Sequence, residues 1–323
     1  MTHESRNEPL TTAPRGGFQS FHDFPIRLDL DKLDADIAIL GIPYGEAYSI
    51  DEVSNDQTNA PTHIRQYCER ALRGLDRWDF DIGGTLFDGR PVRVEDCGNI
   101  IGDPHDPRVH SRRAELAVGK ILAAGALPIV LGGDHSIPIP VFRAYHGRGP
   151  ITLVQVDAHI DWRDHMHGVR NGLSSPMRRA SEMAHFDRIF QIGLRSAGSA
   201  RREEVEAALA WGSVLIPDIE LQETGMEAVL ARIPDGGQYY LTIDADGLDP
   251  AIMPAVAGPA PGGVTYAQMR TLIHGLIEKG RVVGMDIVEI TPKRDVNGIS
   301  AITAGRLIVN LIGKAVRAGY FAK

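Results

Sequence analysis

At 323 residues, with 43% hydrophobic and 24% charged residues, the chain has the apolar content for a sizeable core and excludes a disordered polymer. Its formal net charge of -8, with no run of Lys and Arg, excludes the basic surface on which nucleic-acid binding relies. The two cysteines, Cys68 and Cys97, are too far apart for a metal-ligand spacing or a disulfide framework, so a reducing compartment, the cytoplasm, is expected.

Residues 1–32 are polar and patternless, contain Gly16-Gly17, and read as an N-terminal extension that is loose or leans on a neighbouring subunit. They lack the basic end and apolar core of a signal peptide. No segment anywhere approaches 18 uninterrupted apolar residues, so no membrane is expected. Short apolar runs bounded by Gly, Pro or Asp then recur at 37–40, 92–95, 128–131, 151–156, 189–192, 214–216, 239–243 and 282–286, which predicts eight buried strands. Segments of helical period lie between most of them, at 108–124, 200–210, 266–278 and 301–318. Alternation of this kind predicts an α/β fold with a parallel sheet covered by helices on both faces. No repeat or linker divides residues 33–323, which are expected to form a single catalytic domain.

In an open parallel sheet the ligand site lies beyond the carboxyl ends of the strands. Four of the eight predicted ends carry anionic or metal-binding side chains: Gly132-Gly133-Asp134-His135-Ser136, Asp157-Ala158-His159-Ile160-Asp161, Asp244-Ala245-Asp246-Gly247-Leu248-Asp249-Pro250 and Asp286-Ile287-Val288-Glu289. Side chains at i, i+2 and i+4 of an extended stretch project together, so Asp157, His159 and Asp161 share a side, as do Asp244 and Asp246. Converging carboxylates repel unless cations lie among them. A single Asp after a strand is most often a loop cap, but six candidates at three strand ends reverse that reading. His135, Asp157, His159, Asp161, Asp244 and Asp246 are therefore expected to hold two divalent ions per subunit. The oxygen-rich set favours Mn²⁺, with Ni²⁺ or Co²⁺ as alternatives, and such a pair acidifies a shared water toward neutrality. Glu289 at the same rim suits a planar guanidinium. Gly132-Gly133 is no phosphate loop, because no Gly-Lys-Ser/Thr follows.

With these motifs, and with Asp-Ile-Val-Glu-Ile-Thr-Pro at 286–292, the chain resembles the ureohydrolases, the arginase and agmatinase family, and is closest to agmatinase-like guanidino hydrolases. The resemblance covers nearly everything after the extension. It implies a three-layer αβα fold with a mainly parallel eight-stranded sheet, homotrimers or homohexamers, and release of urea from a small cationic guanidino substrate. It further implies that His135 and Asp161 bind one manganese with Asp157 and Asp244 bridging, that His159 and Asp246 complete the second site, and that Glu289 grips the guanidinium. Asp161 and Glu289 are thus taken into the catalytic set.

Two departures stand out. The family's proton-shuttle histidine precedes a Pro-Phe-Arg-Arg-Ala-like segment, and here that position, ahead of Pro176-Met177-Arg178-Arg179-Ala180, is Leu173. His165 and His167 are the nearby candidates to replace it, with His167 placed in the catalytic set. The loop Tyr44-Gly45-Glu46-Ala47-Tyr48-Ser49-Ile50-Asp51 is also bulkier than the family's, so the substrate, whether agmatine, guanidinobutyrate, guanidine or a substituted guanidine or biguanide, stays open. His105, His110, His146, His185 and His274 read as surface or capping residues, and Arg178-Arg179 as a solvated or subunit-contact pair. The competing readings are amide or amidine hydrolysis at the same metal pair, and a non-catalytic subunit of a hetero-oligomer with a paralogous chain.

Overall fold

The computed structural model describes residues 9–13, 19–49, 56–103, 106–198 and 200–321. Its nine-stranded sheet comprises β1 (Thr11–Thr12), β2 (Ile37–Ile42), β3 (Val94–Ile100), β4 (Leu127–Gly132), β5 (Ile151–Val156), β6 (Phe186–Leu194), β7 (Val214–Pro217), β8 (Gln238–Asp244) and β9 (Arg281–Val288). Their spatial order is β1-β3-β2-β4-β9-β8-β5-β6-β7. All neighbours run parallel except β1, which pairs antiparallel with β3. The eight expected strands are present, and β1 is the addition.

Alternate side chains of each strand leave the sheet on opposite faces, and two cores result. Ile37, Ile39, Ile129, Leu131, Val154, Val156, Leu241, Ile243, Met285 and Ile287 join one core with the helices Tyr266–Lys279 and Ile299–Arg317. Ala38, Leu40, Ile42, Val130, Leu153, Tyr240 and Val288 join the other with the helices Pro107–Ala123 and Pro138–Ala144. Helix layers on both faces make this a three-layer αβα arrangement. Local signals set the helix ends: Asp106 accepts from the amides of Arg108 and Val109 with Pro107 at the first turn, and Thr265 forms a capping box with Gln268.

The expectation of a loose N-terminal segment is corrected for its described part. Thr11 and Thr12 pair with Ile100 and Asn99, and Phe21, Phe24 and Leu30 are buried. Gly16-Gly17 lie outside the described residues. The tie is polar as well as apolar. Arg65, fully buried, makes two 2.8 Å bonds to Asp96 through Nε and Nη2, and Asp96 also accepts the Phe21 amide at 2.8 Å. A bidentate pair of this geometry satisfies a buried charge that would otherwise be costly. Cys68 and Cys97 are buried free thiols.

Candidate metal centre and active site

The four motif-bearing strands, numbered 4, 5, 8 and 9 along the chain, are contiguous in space as β4-β9-β8-β5. Their carboxyl ends therefore open side by side onto one rim. Glycines permit the close approach there. A Cβ on Gly133 would lie 1.9 Å from the Pro43 carbonyl oxygen, and one on Gly247 would lie 2.6 Å from the Asp157 amide nitrogen.

At this rim His135 Nδ1 lies 3.1 Å from Asp157 Oδ2, 2.8 Å from Asp161 Oδ2 and 3.0 Å from Asp244 Oδ2. His159 Nδ1 lies 3.4 Å from Asp157 Oδ1 and 3.2 Å from Asp246 Oδ2. The six residues thus form two donor groups, and Asp157 belongs to both through its two oxygens. Asp244 faces the first group through Oδ2, and its Oδ1 accepts the Asp246 amide at 2.9 Å.

The hydrogen-bond network behind His135 tests whether cations fit. Thr242 Oγ1 donates its single hydrogen to Asp286 Oδ1 at 2.6 Å, so toward His135 Nε2, 3.2 Å away, it accepts. Nε2 then carries the imidazole hydrogen, and the Nδ1 lone pair faces three carboxylate oxygens. Lone pair against lone pair is repulsive, and a cation among them removes the conflict. Without one the cluster must gather protons. Burial lowers the His135 pKa, but the Asp157, Asp161 and Asp244 carboxylates outweigh it and hold the group well above the usual imidazole range. Asp157 and Asp246 push His159 up to about 12. Burial, with Asp157, pushes Asp161 up to about 6 and, with Asp246 and Asp157, drives Asp244 well above the carboxylate range.

Asp157 is held by Gln155, whose Nε2 donates to Oδ2 at 2.6 Å; Gln191 and Ser213 extend that chain through bonds of 2.6 and 2.8 Å. Asp286, expected at the rim, is corrected to a supporting position: β9 runs on to Val288, leaving Asp286 fully buried beneath the site and bonded by Tyr240 and Thr242. Gln155 and Thr242 were missed in the sequence. Their signal is a polar residue inside an apolar run, two positions before Asp157 and Asp244 and hence on the same face.

Glu289 follows β9 with φ +65° and its amide donates to the Gly133 carbonyl at 2.7 Å. Its Oε1 accepts the His135 amide at 2.7 Å and its Oε2 accepts Gln57 Nε2 at 2.6 Å. Burial, with Asp134, pushes its carboxyl up to about 8. A cavity of about 600 Å³ joins Glu289 to the donor groups and is also lined by Tyr48, Gln57, Arg163, Met166, Leu173 and Arg294.

Leu173 therefore faces the cavity at the position where the family's shuttle is expected. His165 and His167 are not among the cavity's lining residues. His167 is exposed, in a turn closed by the Met166–Val169 bridge, and His165 pairs with exposed Asp164 at 3.1 Å. His167, placed in the catalytic set from the sequence, is thus an exposed residue outside the cavity lining. The first loop does shape the pocket. Tyr48 lines it and accepts the Ser174 amide at 3.1 Å, while Glu46 accepts from Asn171 at 2.9 Å; Ile50 and Asp51 lie outside the described residues.

Among the remaining histidines, His110 is buried and stacks on Tyr44 with ring centroids 4.0 Å apart, and His185 is buried against the Phe142 carbonyl. Neither lies at the surface, and His185 caps, since Phe142 is in the last turn of the helix Pro138–Ala144; His105 lies outside the described residues. Arg179 is likewise buried and bonded to Asp164 at 2.8 Å.

Comparison with known proteins bears on the same residues. A guanidinobutyrase of Pseudomonas aeruginosa is 31% identical over 290 residues, covering 88% of this chain and 87% of its own. A guanidinopropionase of the same organism is 37% identical over 229 residues, 68% of this chain and 71% of its own. Among solved structures, proclavaminate amidino hydrolase from Streptomyces clavuligerus superposes with a TM-score of 0.78 at 25% identity, over 95% of this chain and all of that one. The agmatine ureohydrolase of Thermoplasma volcanium gives 0.75 at 27% identity, over 95% and 97% of the two chains. The family model described as the arginase family matches residues 35–313, a span that includes every donor of both groups, and the chain belongs to the arginase family.

Proposed function

We propose that this chain hydrolyses a guanidino C–N bond to urea and an amine, using two divalent cations. His135, Asp157, Asp161 and Asp244 would hold one, and Asp157, His159 and Asp246 the other. The observation that carries the reading is the bare Nδ1 of His135 amid three carboxylates, within one cavity with a buried glutamate that has no cationic partner among the described residues. Mn²⁺ suits the oxygen-rich donors, with Ni²⁺ and Co²⁺ as alternatives. When bound, such a pair polarises the reacting carbon's environment and acidifies a water at neutral pH.

The chain's own residues supply the remainder. Glu289 accepts two N–H groups of the planar guanidinium and orients its carbon toward the rim. Tyr48, Met166 and Leu173 wall the cavity and exclude bulk water from the reacting group. With Leu173 in place of an imidazole and His167 exposed outside the cavity lining, Asp161 is the carboxylate placed to take the water's proton and deliver it to the departing amine. Arg163 and Arg294 also line the cavity. Arg163 is paired with Glu204 at 3.1 Å, whereas Arg294, exposed, donates to the carbonyls of Val256 and Ala257 and has no carboxylate partner among the described residues. A substrate with an anionic end, a guanidino acid, is favoured over agmatine, in keeping with the two Pseudomonas relatives.

The test is urea release from 4-guanidinobutyrate, 3-guanidinopropionate, agmatine, arginine and guanidine by protein loaded with Mn²⁺, Ni²⁺ or Co²⁺. Urea from a guanidino acid ahead of agmatine is expected. No urea from any of them sinks the proposal, and release of formamide or ammonia from a formimino compound, or of acetate from an acetylated amine, would replace it with the amide or amidine reading.

A further inference from the structure

We infer that Gln57 is a positioning residue for the guanidinium grip, acting through Glu289; the inference rests on the guanidino reading above. The two carboxylate oxygens of Glu289 are each engaged once, by groups from opposite sides of the site. Oε1 takes the amide of His135 in the turn after β4, and Oε2 takes Gln57 Nε2 from the 3-10 turn Asp56–Asn59. A carboxylate oxygen offers two acceptor positions. One acceptor position on each oxygen therefore remains, the number that a bidentate guanidinium fork takes up.

With one donor fixed on each oxygen, the carboxylate cannot turn about its terminal bond without losing a 2.6 or a 2.7 Å bond. Gln57 is itself buried and lines the cavity beside Glu289. A neutral amide suits this place. It fixes the plane of the carboxylate while leaving its negative charge to the incoming cation, which a Lys or Arg would neutralise.

The turn that carries Gln57 is in turn anchored. Asp56 accepts the Lys293 amide, His63 pairs with Asp295 at 2.8 Å, and Arg65 on the following helix is locked to Asp96 and to Asn99, each at 2.8 Å. The segment after β9 and the turn before the helix Ala60–Gln66 are thus stapled on both sides of the Gln57–Glu289 bond.

The experiment compares Gln57→Met, which keeps length and packing without a donor, with Gln57→Ala and Gln57→Glu in the full-length, metal-loaded protein. Metal content by elemental analysis and the melting temperature serve as controls. Readouts are KM and kcat for the best guanidino substrate, and calorimetric affinity for guanidinium chloride. A hydrogen bond to a charged group corresponds to roughly tenfold or more in affinity. Gln57→Met and Gln57→Ala are expected to raise KM and weaken guanidinium binding by that factor at unchanged metal content, with kcat falling less. Gln57→Glu, which places a second carboxylate against Glu289, loses more. Gln57→Met with wild-type KM and guanidinium affinity overturns the inference while wild-type urea release preserves the reaction. No urea from the wild type, with guanidinium affinity still falling in Gln57→Met, retires the reaction and keeps the grip.

Discussion

Thr242→Val isolates the role of the network behind His135. The substitution is close to isosteric and removes the acceptor of His135 Nε2 and one of two side-chain donors to Asp286, which keeps Tyr240 at 2.8 Å. In the cation-loaded protein Nδ1 is committed to the metal, so the buried Nε2–H is left without a partner, at a cost of about 1 to 3 kcal/mol. In the metal-free protein the ring can instead move its single hydrogen to Nδ1, toward the Asp157, Asp161 and Asp244 carboxylates, and then has no N–H at Nε2 to satisfy. The penalty therefore falls mainly on the loaded state, and the first cation should bind about 10- to 100-fold more weakly. Calorimetric titration of metal-stripped protein with Mn²⁺, checked by competition with a chelator, measures it. The second group, built on His159, lies beyond this network and should change little. Two binding steps of wild-type affinity in Thr242→Val would refute the assignment of the imidazole hydrogen to Nε2, and with it the case for a bare Nδ1.

Other expectations follow from the same geometry. Asp246→Ala, which touches one donor group, should leave close to one metal per chain by elemental analysis, whereas Asp157→Ala, shared by both, should lower both sites. His167→Ala should retain turnover within about twofold, since surface substitutions away from a site are usually near neutral; a loss beyond tenfold would show that the exposed position is not the working arrangement. His110 is held neutral, because burial lowers its pKa to about 4 from an unfolded value of 6.5. The sign follows: its contribution is complete above pH 6.5 and is lost as pH falls toward 4, because the unfolded chain takes up the proton first. Urea melts of wild type and His110→Phe should therefore differ in their acid sensitivity, the wild type losing about 2 kcal/mol more between pH 7 and 4.5. Equal losses would contradict the neutral, stacked ring.

Much of the site can be read along the chain. Metal-binding residues after an apolar run are a local pattern, and so are the strands and long helices, since periods of two and of three to four residues follow from backbone geometry alone. The six donors and Glu289 were visible in that way, and Leu173 only through the family resemblance. Short helices such as Pro138–Ala144 and Pro176–Ala180 escaped notice because five to seven residues display too little of a period, and β1 because two residues display none. Which strands are neighbours is not local information. The order β4-β9-β8-β5 makes one rim of four motifs, with His135 and Glu289 154 positions apart, and pairing between distant segments is decided only when both sheet faces are buried together. The same holds for direction and for partners. Only the folded chain shows that Asp157 turns one oxygen toward each histidine, that His167 is exposed outside the cavity lining, and that Gln57, 232 positions from Glu289, bonds its carboxylate.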